Sequence, residues 1–175
     1  MRILVTGGVR SGKSSHAEGL LGDEPATYVA AGPSPDVETD PDWAARIAAH
    51  RSRRPASWTT LESRDLAAAI RSAEVPVLID CLGTWLTAVV DEASAWEADN
   101  DVALGLVVSR TDEVVDALHA CDQDVVLVTN EVGLGVVPEH RSGRLFRDLL
   151  GTVNQRVAAA CDEVHLVVAG RVLRL

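Results

Sequence analysis

The chain has 175 residues, 47% of them hydrophobic, which is enough to bury a sizeable core as one domain. Its 26 acids against 16 Lys and Arg give a formal net charge of -10, so the surface repels nucleic acid and anionic membranes and any anionic ligand must be gripped locally. No apolar run reaches the roughly 18 residues of a membrane span, and Cys81, Cys121 and Cys161 lack pairing or C-x-x-C spacing, which fits reduced thiols in a cytoplasm.

Arg2 to Thr6 (RILVT) has the apolar, β-branched character of a buried strand, and its place at the start leaves no room for a signal peptide. Gly7, Gly8, Val9, Arg10, Ser11, Gly12, Lys13 and Ser14 follow it and match the phosphate-binding spacing G-x-x-x-x-G-K-[ST]. Glycines at both ends let the backbone turn and aim N–H groups inward at phosphate oxygens. Lys13 is expected on the β and γ phosphates and Ser14 on Mg²⁺, with a helix from Ser14 to Leu21 adding the positive end of its dipole.

Ala26 to Ala30 is a second expected strand, broken by Ala31-Gly32-Pro33-Ser34-Pro35. Asp40 is expected to cap a helix whose first residue is Pro41, with Trp43 and Ile47 on an apolar face and Arg46, His50 and Arg51 on a polar one. Pro55 ends it. Trp58 to Leu61 reads as a short strand followed by Glu62, Arg64 to Ala73 as a helix, and Val75 to Ile79 as a buried strand ending at Asp80. An acid at that place either holds Mg²⁺ or its water shell, or caps the next helix. Leu82 to Val90 and Val102 to Ala120 read as helices joined by an acidic surface connection, Asp91 to Asp101. Val125 to Thr129 is the most strand-like run, followed by Asn130 to Gly135, which has two glycines but no lysine. Arg141 to Cys161 reads as a long helix, and Glu163 to Ala169 with Val172 to Leu175 as a hairpin around Gly170-Arg171. Strands alternating with helices imply an α/β fold: a mostly parallel sheet flanked by helices, with an antiparallel C-terminal edge hairpin.

Among the five histidines, His50 has the most unusual company, with Arg46, Arg51, Arg53 and Arg54 around it. Guanidinium groups bind phosphate and disfavour a second positive charge beside them, and a neutral imidazole next to a held phosphate is a nucleophile. A merely solvated histidine on a polar helix face is the alternative. His16, His119, His140 and His165 read as structural or solvated, and no pair has metal-ligand spacing.

Over nearly its whole length the chain resembles the bifunctional adenosylcobinamide kinase and adenosylcobinamide-phosphate guanylyltransferase family of cobalamin biosynthesis. The resemblance rests on ILVTGGVRSGKSSHAE, AARIAAHRSRRP with WTTLE, LIDCLGTWLT, and the long run from VLVTNEVGLG to VHLVVAG. It implies a RecA-like P-loop nucleotide-binding fold, a ring-shaped homo-oligomer, expected as a trimer, and adenosylcobinamide, its phosphate, GTP and ATP as ligands with Mg²⁺ as cofactor. It also implies that His50 attacks the α phosphate of GTP, expelling pyrophosphate and retaining GMP. Gly7 to Ser14 become the nucleotide cradle, with Ala30, Ala31, Gly32, Arg51, Ser52, Arg53, Arg54, Glu62 and Asp80 as the remaining guanine-nucleotide contacts. Some members carry a second histidine where this chain has Ala49. Two rivals to this activity are a small-molecule kinase without nucleotidyl transfer and a nucleotide-switched assembly protein of RecA type.

Overall fold

Strands and helices alternate in a seven-stranded sheet, ordered β3-β2-β4-β5-β1-β6-β7. The computed structural model describes residues 1–32 and 41–175, with Trp43 and Arg46 as backbone only. The strands are β1 (Arg2–Gly7), β2 (Thr27–Ala30), β3 (Thr59–Glu62), β4 (Val77–Asp80), β5 (Val125–Val128), β6 (Glu163–Val168) and β7 (Arg171–Arg174). The helices are α1 (Lys13–Leu21), α2 (Pro41–Arg53), α3 (Leu66–Arg71), α4 (Leu82–Glu92), α5 (Asn100–Ala120) and α6 (Arg141–Ala159). All neighbouring strands run parallel except β6 and β7, which form the expected antiparallel edge hairpin.

Period-two alternation divides the core into two layers. Leu4, Ile79 and Leu127 point to the face covered by α3, α4, α5 and α6, where Leu118, Leu149, Leu150 and Val153 meet them. Ile3, Val5, Leu78, Val126 and Val128 point to the opposite face, where the smaller apolar layer includes Ala17 and Leu20 of α1. β5 is apolar and buried at every position because it is covered on both faces. Register aligns the carboxyl ends of the strands: Ala30 lies opposite both Glu62 and Asp80, Asp80 opposite Val128, and Gly7 opposite Val167. The loops that carry chemistry therefore emerge along one edge.

Several boundaries differ from expectation for local reasons. β4 begins at Val77, because Pro76 has no N–H for the ladder and contributes only its carbonyl, which accepts from the Thr27 N–H at 2.8 Å. α6 ends at Ala159, and the next two N–H groups bond three residues back, Ala160 to Val157 and Cys161 to Ala158. The Asp91 to Asp101 connection is not wholly surface: a 3-10 turn at Ala95–Glu97 buries Ala95 and packs Trp96 on the core, and Arg141 donates to the carbonyls of Trp96 and Ala98. The expected cap at Asp40 and the break at Pro33 to Pro35 lie outside the described residues. The faces expected of Trp43 and Arg46 concern side chains that are likewise not described.

Candidate active site

The phosphate loop is built by β1 and α1 with the hairpin as its floor. Arg10 and Gly12 adopt positive φ (57° and 97°), which turns the chain from β1 into α1. Gly7 is required by close approach, since a Cβ there would lie 2.4 Å from the Val167 carbonyl oxygen and 2.7 Å from Ser11 Oγ. Gly8 has open space where a Cβ would stand. The loop is pinned from outside: the Gly170 N–H donates to the Ser11 carbonyl (2.8 Å) and the Glu131 N–H to the Gly7 carbonyl (3.1 Å). Gly12 caps α1 without a side-chain acceptor, so the leading N–H groups of the helix remain for an anion. Lys13, only 6% exposed, donates to the Gly8 carbonyl at 3.1 Å and holds its ammonium against the loop. Ser11 Oγ is buried without a partner, a polar atom suited to an incoming oxygen.

α2 faces this loop across a cavity of about 800 Å³ lined by Arg10 to Ser15 on one side and by Asp42, Ala45, Ala49, His50 and Arg53 on the other. These α2 positions share one helix face, and its two alanines leave room for a ligand. Around His50 the charges interlock. Nδ1 lies 3.2 Å from Arg53 Nη2, 3.7 Å from Asp80 Oδ2 and 3.8 Å from Glu18 Oε1. Arg53 also donates to both oxygens of Glu18 at 3.2 and 3.3 Å. Burial raises the Glu18 carboxyl, but the neighbouring His50 imidazole and the hydrogen bonds from Arg53 outweigh it and hold the group below the usual range. Tyr28 donates to Asp80 Oδ2 at 3.2 Å, and burial, then the Asp80 charge, push its phenol well up. Arg54 stacks on the Tyr28 ring at 3.7 Å, donates to Thr60 Oγ1 at 2.8 Å and to the His50 carbonyl at 3.1 Å.

The structure thus brings Gly12, Lys13, Ser14, His50, Arg53 and Asp80 together, and sets other expected contacts apart. Arg51 pairs with Glu62 at 2.9 Å on the exposed edge beside β3, and Ser52 Oγ donates to the Ala49 carbonyl. Ala30, Ala31 and Gly32 stand at the end of β2, where Ala31 is fully buried. Val9 is exposed at the crest of the loop. His165 is buried and structural, 2.9 Å from His16 Nε2 and 2.8 Å from Glu163, so it ties α1 to β6. Glu18, Tyr28 and Asp42 escaped the sequence reading. Glu18 stands one helical turn after Ser14, and that i,i+4 spacing on a helix leaving a phosphate loop was the available signal.

The family model for cobinamide kinase / cobinamide phosphate guanyltransferase matches residues 3–175. The bifunctional adenosylcobalamin biosynthesis protein CobU of Salmonella typhimurium is 44% identical over 97% of both chains, and that of Escherichia coli K12 is 42% identical over the same shares. The protein CobP of Pseudomonas aeruginosa, of the same description, is 38% identical over 97% of this chain and 94% of its own. The chain belongs to this kinase and guanyltransferase family. A prototypical ATPase from the type III secretion system of pathogenic bacteria aligns with a TM-score of 0.56 at 12% identity, covering 94% of this chain and 50% of that one. The fold is accordingly the RecA-like P-loop fold expected from the family resemblance.

Magnesium is the ion that P-loop kinases of this kind use with their nucleotides. Among the described residues no group of three His, Cys, Asp or Glu side chains is placed to hold a metal alone. The hydroxyl of Ser14 at the start of α1 and the carboxylate of Asp80 at the end of β4 are hard oxygen donors of the kind Mg²⁺ takes when phosphate oxygens and water supply its other ligands. Among the described residues no helix is long and apolar enough to cross a membrane.

Proposed function

We propose that the chain phosphorylates adenosylcobinamide on its aminopropanol hydroxyl with ATP or GTP, then transfers GMP from GTP through His50 to that new phosphate, giving adenosylcobinamide-GDP and pyrophosphate. The observation that carries this reading is the single cavity that Lys13 and His50 both line. In the first reaction the substrate hydroxyl oxygen attacks the γ phosphorus and releases its proton to solvent, the bond from that phosphorus to the bridging oxygen breaks, and the nucleoside diphosphate leaves. Positioning and charge neutralisation dominate such a step. Lys13 and the N–H groups of the loop hold the phosphates, and Mg²⁺, which Ser14 and Asp80 would hold with its waters, supplies further neutralisation. In the second reaction a ring nitrogen of His50 attacks the α phosphorus and pyrophosphate departs. The acceptor is then an anion, and Arg53 at the cavity offsets its repulsion. We further propose that Arg51, Ser52, Arg54, Glu62 and Ala30 to Gly32 meet the base or ribose of GTP at the rim, and that the protein works in the cytoplasm as a homo-oligomer, a trimer by family resemblance.

Incubation with α-labelled GTP and Mg²⁺ tests the reading. An acid-labile, alkali-stable label is expected on the wild-type protein and none on His50→Asn. Label that persists on His50→Asn overturns the assignment, and a protein that phosphorylates adenosylcobinamide without ever taking label is a kinase alone.

A further inference from the structure

The three groups around His50 Nδ1 cannot all be satisfied at once. A guanidinium has only donors, so the 3.2 Å contact from Arg53 requires Nδ1 to accept, and the single proton of the neutral ring then sits on Nε2. In that tautomer neither nitrogen offers a free lone pair: one is engaged by Arg53, the other bonded to hydrogen. The same guanidinium grips Glu18 through both oxygens. Arg53 is therefore a wedge between a carboxylate and the ring it would orient.

Arg53 is also 41% exposed and lines the cavity opposite the phosphate loop, so the phosphates of a bound nucleotide compete for it. Glu18, at 12% exposure, stays in place on α1. Of the two carboxylates within reach among the described residues, Asp80 already accepts from Tyr28, whereas Glu18 loses its partner when Arg53 leaves. Arg54 is occupied on Tyr28, Thr60 and the His50 carbonyl.

We propose that Glu18 is the positioning residue for His50: once bound triphosphate draws Arg53 away, Glu18 accepts a hydrogen bond from Nδ1–H and leaves Nε2 free to attack. The proposal rests on the reading of His50 as the GMP carrier. In the attack the Nε2–P bond forms as the bond from the α phosphorus to the bridging oxygen breaks, and pyrophosphate leaves with that electron pair. The ring is left cationic with its proton still on Nδ1, beside the Glu18 anion. In the second transfer an oxygen of the substrate phosphate attacks, the N–P bond breaks, and the pair returns to Nε2. The tautomer exchange that precedes this passes through solvent, to which the half-buried ring is open.

Nitrogen-15 spectra of the ring, assigned with His50→Asn, test the wedge directly. The nucleotide-free protein is expected to carry the proton on Nε2, and the protein saturated with Mg²⁺ and an α,β-methylene GTP analogue on Nδ1. A ring that holds the same tautomer in both states overturns the proposal. Glu18→Gln is expected to slow GMP attachment to His50 at saturating GTP by roughly a hundredfold or more, with a smaller change in KM and partial recovery in Glu18→Asp. Attachment at the wild-type rate in Glu18→Gln overturns it as well. Wild-type protein that takes no GMP at all defeats the underlying reading instead, while the ring spectra still decide the role of Arg53.

Discussion

Lys13 shows how much a single side chain can be asked to do at the cradle. It is nearly buried, its ammonium already lies against the Gly8 carbonyl, and a phosphate oxygen placed there would receive a charge-assisted bond with little reorganisation. Lys13→Ala is expected to weaken triphosphate binding by about 2–3 kcal/mol, measured by titration calorimetry, with both activities falling together. Gly7→Ala should fail differently, because the new methyl meets a backbone oxygen that cannot swing aside. A loss of about 1–3 kcal/mol of stability is expected from such overpacking, read as a lower melting temperature together with lost nucleotide affinity. Cys161 bears on the thiol reading. Burial, then the Asp162 charge, push its thiol up to about 12, so slow alkylation by iodoacetamide at neutral pH is the expected result. The cradle could be read from the chain because its chemistry is carried by consecutive residues. Glu18 and Tyr28 could not, because their partners His50, Arg53 and Asp80 come from distant elements that only the fold assembles.

At the scale of elements, α1 and α2 meet through the side chains of Glu18, His50 and Arg53. Glu18 is the ionic centre of that contact, so the contact depends on pH. A carboxyl held below its ordinary 4.5 contributes stability that is present above that value and lost as pH falls through the lowered one. The difference in melting temperature between wild type and Glu18→Gln is therefore expected at neutral pH and should shrink as the pH is taken below 4.5. A difference that stays constant across that range would remove Glu18 from the α1 to α2 contact. Element type was legible nearly throughout, since a run such as Val125 to Val128 has one compatible setting. Ends were legible only where a local device acts, and Pro76 shows a case in which the apolar run is longer than the ladder it can support. The 3-10 turn at Ala95–Glu97 was hidden because its two apolar residues, Ala95 and Trp96, sit in a stretch rich in acids.

For the whole molecule, strand order is what the chain conceals. Parallel pairing follows from alternation, but nothing local says that β1 lies between β5 and β6. Leu150, buried where α6 meets the sheet, tests how far this core acts as one unit. Leu150→Ala is expected to cost about 2–5 kcal/mol, as a lower urea midpoint with an unchanged slope.

The floor beneath the phosphate loop is supplied by Val167 and Gly170, far along the chain from the loop itself. A ribosome that has released the cradle must therefore still make more than half the protein before either neighbour of β1 exists. During synthesis nucleotide cannot serve as an early folding template; it can only select molecules whose last hairpin has already closed.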